Sequence, residues 1–150
     1  TALALDPRDG RAGGPPDVSW CSGLAGTVAA AATVCRASAD RQVEALATRP
    51  LLRDLSLCHG ELGAIEPLVL LASQGHEVAA AAVRRRAGLL LGAIGQIGTV
   101  TGAPGGVPTP GLLTGLSGIG YGLLRLGHPG LVPSVLLLEP HPSAESERPR

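Results

Sequence analysis

Two thiols and an imidazole, Cys21, Cys58 and His59, are the side chains of this chain best suited to do chemistry. Cys58 and His59 are neighbours within Leu57-Cys58-His59-Gly60, and Cys21 stands 37 residues earlier in the matching context Trp20-Cys21-Ser22-Gly23. Zinc favours sulfur and nitrogen ligands, and three protein ligands leave its fourth tetrahedral position open, the pattern of catalytic rather than structural sites. Taken in isolation the same residues also fit two buried thiols and a hydrogen-bonded core histidine, because buried cysteine packs as a small hydrophobe. Adjacent residues of a regular helix point about 100° apart. Cys58 and His59 reach one ion only from a loop or a first helical turn, and Gly60 permits the backbone this requires.

The elements that must position the trio are helices. Gly23-Leu24-Ala25-Gly26, Gly60-Glu61-Leu62-Gly63 and Gly115-Leu116-Ser117-Gly118 each precede an apolar run, over Thr27 to Cys35, Ala64 to Ala72 and Ile119 to Leu126. Apolar residues on nearly every side mark helices enclosed by protein. Ala37 to Arg49 and His76 to Gly92 carry charges at helical spacing and read as outer helices covering inner ones. Thr101 to Gly111 is a Gly/Pro loop, and Pro67 implies either a helix starting near Glu66 or a kink. One inner and outer pair cannot bury its own apolar face, so the pattern predicts an all-α curved array or a closed α/α toroid. About two and a half pairs are present, the last two to three hairpins of such a ring. Cys21 and Cys58 stand two residues before successive Gly-x-x-Gly motifs, so the array brings them to the same end of the central space.

Composition narrows the function classes. Phe and Met are absent and Trp and Tyr occur once each, so Ala, Leu, Val and 22 Gly must fill the interior. Sugar and carbocation chemistry, with its aromatic platforms and paired carboxylates, is poorly supported by 1% aromatic content. Twelve basic residues balance twelve acidic ones. No net field draws the chain to nucleic acid or to an anionic membrane. Three cysteines without a disulfide-framework spacing fit a reducing cytoplasm. The longest apolar stretch, Ala87 to Val100, falls short of the roughly 20 residues of a membrane span and reads as a buried or half-buried helix.

The motifs, taken in order, resemble the lanthionine synthetase C-like cyclases, in particular the C-terminal cyclase domain of class II lanthipeptide synthetases. The resemblance is carried by Ser19-Trp20-Cys21-Ser22-Gly23, Leu57-Cys58-His59-Gly60-Glu61-Leu62-Gly63, Pro110-Gly111-Leu112-Leu113-Thr114-Gly115-Leu116-Ser117-Gly118-Ile119-Gly120-Tyr121, Leu124-Arg125-Leu126 and Val132-Pro133-Ser134-Val135-Leu136-Leu137-Leu138-Glu139. It implies a partial α/α toroid around a central Zn2+, with Cys21, Cys58 and His59 as metal ligands. It implies Michael-type addition of a peptide cysteine thiolate to dehydroalanine or dehydrobutyrine, giving (methyl)lanthionine rings. Two thiolate ligands offset the charge of the metal, so a third, incoming thiolate keeps its nucleophilic character. The implied partners are a precursor peptide with its leader and a dehydratase domain upstream in the same polypeptide. The alternative function is a non-catalytic zinc-containing toroid that binds a peptide or a small thiol.

The family's proton-handling histidine precedes the first zinc cysteine, and Thr1 to Trp20 contain none. It is expected upstream of Thr1, with this chain a C-terminal fragment, inactive alone. The expected organisation is an irregular Gly/Pro-rich loop over 1–16, the cyclase part over 17–139 and a disordered tail over 140–150. Cys35 reads as a core thiol, and His76, His128 and His141 as solvated. Trp20 serves packing or a peptide-binding rim, Tyr121 packing or proton donation. Glu61 is either a partner for His59 or a first-turn acid suited to the helix dipole. Arg84-Arg85-Arg86 reads as a solvated face rather than a leader-peptide contact.

Overall fold

The computed structural model describes residues 17–34 and 40–140. Helix α1 spans Leu24–Val34, α2 Asp40–Thr48, α3 Glu61–Ser73, α4 Glu77–Ile97 and α5 Leu116–Gly127; a 3-10 turn, Pro104–Gly106, interrupts the long connection before α5. No strand occurs among the described residues, as the all-α reading requires. Cys35 and His141, together with 1–16 and the tail beyond 140, lie outside them.

Helices α1, α3 and α5 start directly after the first glycine of each Gly-x-x-Gly, three residues earlier than the apolar runs suggest. The first glycine is the cap: Gly60 and Gly115 are extended, with φ −98° and −111°, and the second glycine falls within the first turn. Helix α3 is the axis of the packing. It contacts α1, α2, α4 and α5, and every residue from Glu61 to Leu71 is buried. A helix that is apolar on all sides and as short as this one has to be surrounded. Pro67 sits inside α3, so the helix does not begin near Glu66, and only the bond that an N–H at 67 would make to Gly63 is forfeited.

Helices α1 and α5 differ from the enclosed helices expected of them. Thr27, Ala30 and Thr33 of α1 and Leu116, Gly120 and Leu124 of α5 are exposed, because α3 and α2 cover α1, and α3 covers α5, without enclosing either. The apolar core splits accordingly. One cluster joins Val28, Val43, Leu46, Leu68 and Leu71 of α1 to α3 with Ala79 and Ala82 of α4; the other gathers Leu57, Leu62, Ile65, Leu90 and Ile119 around the start of α3.

Helix α4 runs five residues past the expected Gly92. Its 21 residues span about 30 Å against about 20 Å for the 13 of α3, so its far end overhangs the core. Leu90 is buried there, but Leu89, Leu91 and Ile97 are exposed, which corrects the buried or half-buried reading of that stretch. Among the described residues no helix is long and apolar enough to cross a membrane.

Candidate metal centre

Three loops of one design precede the inner helices. In each, the N–H of the first helical residue reaches back seven residues: Leu24 donates to the Asp17 carbonyl at 2.8 Å, Glu61 to Asp54 at 2.9 Å and Leu116 to Thr109 at 2.7 Å. The wrapped loop then presses against the helix it opens. A Cβ on Gly26, Gly63 or Gly118 would collide with the carbonyl of Trp20, Leu57 or Leu112, six residues back in every case. That close approach is why the motif needs its second glycine.

Superposing the loops by this spacing puts Cys21, Cys58 and Leu113 at one position, and Ser22, His59 and Thr114 at the next. The first set is joined edge to edge. The N–H of Cys21 donates to the Cys58 carbonyl at 3.3 Å, and the N–H of Cys58 donates to the Leu113 carbonyl at 2.9 Å. The curved array therefore brings the two cysteines to one place, as their equivalent spacing implies.

Both are free thiols within hydrogen-bonding reach of each other, Cys21 exposed and Cys58 half-buried. The hydrogen bond from Cys58 lowers the pKa of the Cys21 thiol, helped by the Ser19 and Ser22 hydroxyls 3.8 and 3.9 Å from its sulfur. Burial pushes the Cys58 thiol up to about 11, and the neighbouring Cys21 adds to the effect. Of the two thiols, Cys21 is the one eased toward ionisation and Cys58 the one that holds its proton. A groove of about 510 Å³ begins at Cys21 and runs along the exposed side of α1, lined by Trp20, Thr27, Ala30, Thr33 and Leu137.

His59 is held differently. Its Nε2 lies 3.1 Å from the Gly102 carbonyl and 4.0 Å from Asp54 Oδ2, and its side chain is 43% exposed. Among the described residues no three His, Cys, Asp or Glu side chains form a ready-made group for a metal ion. The two thiols lie on paired loops, while the imidazole is held by the Gly102 carbonyl with one nitrogen occupied. Two observations suit a bound ion here. The donor types are those zinc prefers, and the Ser56 hydroxyl, wholly buried beside His59 and Gly102, has no hydrogen-bond partner. The donor types suit zinc, but the imidazole does not complete a ready-made group with the two thiols.

Asp54, Ser56 and Gly102 are absent from the sequence reading. Asp54-x-Ser56 repeats Asp17-x-Ser19, a visible signal: Ser56 and Ser19 each donate their N–H to the aspartate Oδ1 two residues back, at 2.9 Å in both loops. The Ser19 N–H and the Ser22 hydroxyl, in that order, hold the Asp17 carboxyl below its ordinary pKa. Gly102 comes from the Gly/Pro connection, and nothing in its local sequence marks it.

The remaining candidates take structural places. Glu61 contacts neither His59 nor solvent; it is wholly buried between Arg86, with Oε1 2.7 Å from NH2, and Arg49, with Oε2 2.8 Å from NH1. The Arg84 to Arg86 run is solvated only in part, since Arg84 and Arg85 are exposed while Arg86 is buried and also donates to the Arg49 carbonyl at 2.7 Å. The Tyr121 hydroxyl donates to the Pro133 carbonyl at 2.7 Å. His76 caps α4 by accepting the Ala79 N–H, and His128 closes α5. Trp20 packs on the second core cluster and also borders the groove.

This three-loop helical array is similar to known proteins in one respect that decides its family. The family model described as lanthionine synthetase C-like protein matches residues 6–137. The chain belongs to the lanthionine synthetase C-like family. No curated protein and no solved structure matches it significantly. The all-helical architecture accords with the helical toroid of this family, one associated with peptide cyclases and with zinc.

Proposed function

We propose that this lanthionine synthetase C-like chain carries the metal-binding part of a peptide cyclase, which closes thioether rings by adding a cysteine thiol of a precursor peptide to dehydroalanine or dehydrobutyrine. The observation that carries this reading is the meeting of Cys21 and Cys58 at equivalent points of two successive Gly-x-x-Gly loops. With His59 they form the ligand set proposed for zinc. When bound, zinc lowers the pKa of a thiol placed against it, so that the nucleophile exists near neutral pH.

The residues of the chain do the rest by position. Cys21, Cys58 and His59 would hold the ion, and the groove that begins at Cys21 would bring the peptide to it. Trp20 and the exposed small residues of α1 give a peptide an apolar wall to lie on. The proposed partner is a precursor peptide with its leader, dehydrated by an upstream domain of the same polypeptide. A reducing cytoplasm keeps both ligand thiols free.

The experiment supplies the intact polypeptide that carries this chain, including the upstream part expected to hold the proton-handling histidine, with zinc and a dehydrated precursor peptide, then alkylates residual thiols and weighs the peptide. The unmodified protein is expected to protect the peptide cysteines through ring closure, and Cys58→Ala to leave them all alkylated. Full cyclisation by Cys58→Ala refutes the proposal, and binding of the peptide without cyclisation by either protein points to a binding module instead.

A further inference from the structure

We infer that Gly102 and Asp54 are positioning residues that fix the ring proton of His59 on Nε2 and leave the free lone pair of the ring on Nδ1. A carbonyl oxygen can only accept, so the 3.1 Å contact between Nε2 and the Gly102 oxygen requires a proton on Nε2. A neutral imidazole then carries its lone pair on Nδ1, and a metal-bound histidine is oriented in the same way by a bond from its far nitrogen. That Nδ1 ligates zinc rests on the function proposed above; the location of the proton does not.

Two separate segments, the one at Gly102 and the one at Asp54, meet the ring at Nε2. Gly102 is pinned because its N–H donates to the Thr114 carbonyl at 2.8 Å, while Leu55 donates to Val100 at 2.9 Å and the Thr101 hydroxyl to the Val107 carbonyl at 2.8 Å. The close approach also requires glycine: a Cβ at 102 would stand 2.6 Å from Ser56 Oγ and 2.8 Å from His59 Nε2. Asp54 is tied by Oδ1 to the Ser56 N–H, which leaves Oδ2 on the same side as Nε2, 4.0 Å away. In the first loop the equivalent Asp17 Oδ2 accepts from the Ser22 hydroxyl at 2.8 Å. One carboxylate position thus serves the residue before the first glycine in both loops, and in the second loop that residue is a histidine.

Nitrogen-15 NMR of the histidine rings in the full, metal-free chain, with the ring neutral, tests this. His59 is expected as the Nε2-protonated tautomer, and titration with zinc alone is expected to shift the Nδ1 resonance while Nε2 keeps its proton. Asp54→Asn keeps the turn acceptor and is expected to weaken zinc binding about tenfold and to raise the share of the Nδ1-protonated form. Gly102→Ala is expected to abolish the Nε2 preference. A predominant Nδ1-protonated ring, in the unmodified chain or unchanged between it and Asp54→Asn, overturns the inference. An Nε2-protonated ring that zinc leaves unperturbed supports the positioning and refutes the metal assignment.

Discussion

The N–H of Cys21 donates to the carbonyl of Cys58 across 3.3 Å, and the same bond recurs one loop further on, from Cys58 to Leu113 at 2.9 Å. The relationship is a property of the backbone. Three Gly-x-x-Gly loops stack edge to edge, and each hands the same position to its neighbour. What differs is the side chain there: sulfur, sulfur, then an exposed leucine. Two of three equivalent places carry the thiols of the proposed metal site, while the third keeps the architecture without the thiol.

Glycines that look alike in the sequence are predicted to respond oppositely to alanine. At Gly63 and Gly118 a Cβ meets a carbonyl of the wrapping loop, so backbone must move, and a loss of several kcal/mol, about 3 or more, is expected. At Gly88 and Gly92, within α4, a Cβ meets nothing within 4 Å. Alanine there favours the helix by about 0.5–1 kcal/mol. Urea unfolding of the four variants checks the contrast, and equal effects at both kinds of site would contradict the loop packing.

Glu61→Gln is expected to cost about 3–5 kcal/mol, far more than a surface acid of a first turn, because it leaves the Arg86 and Arg49 guanidinium groups buried without their counter-charge. At Arg49 burial lowers the pKa, the Glu61 carboxylate works against that shift and Arg86 adds to it, so removing the Glu61 charge leaves only the unfavourable influences. The pairing ties the start of α3 to the middle of α4 and to the connection after α2, so the loss is measured as a lower midpoint in thermal unfolding. Loss of the same size for Glu44→Gln, an exposed acid of α2, would refute it.

The sequence carried the helices and the convergence of the thiols because both follow from short periodicities. Gly-x-x-Gly with a cysteine two residues ahead is a local pattern, and local patterns repeat. What it did not carry is long-range and polar. Glu61 finds Arg86 at 25 residues' separation, Glu66 finds Arg125 at 59, and the ring of His59 finds Gly102 at 43. No periodicity encodes such pairs, and a charge at helical spacing looks the same whether it faces water, as Arg85 does, or the interior, as Arg86 does. The open sides of α1 and α5 were hidden for a related reason: composition says that a helix is apolar, and only packing says which neighbour covers it.

Without metal, the two thiols of the proposed zinc site are predicted to be modified in order. Cys21 is exposed and its thiol is eased toward ionisation by the Cys58 hydrogen bond, whereas Cys58 is half-buried with its thiol pushed up to about 11. Iodoacetamide at about pH 8 therefore meets thiolate mainly at Cys21. Peptide mapping should find Cys21 labelled first, and the lag at Cys58 should shorten as pH rises toward its pKa. Added zinc should protect both. Faster labelling of Cys58, or labelling indifferent to zinc, would contradict the shared site.

Tyr121→Phe separates a packing role from a proton-donating one. The hydroxyl is spent on the Pro133 carbonyl at 2.7 Å, a bond that fastens α5 to the segment carrying Leu136 into the core. Its removal leaves a partly buried carbonyl short of one partner, and a destabilisation of about 1 kcal/mol is expected. Arg125 holds the same segment through the Val132 carbonyl at 2.6 Å and through Glu139 at 3.3 Å, so the segment stays attached. Zinc affinity and ring closure should therefore be those of the unmodified protein once compared below the unfolding transition. A drop in ring closure of tenfold or more, with stability intact, would put the phenol in the chemistry and overturn the structural assignment.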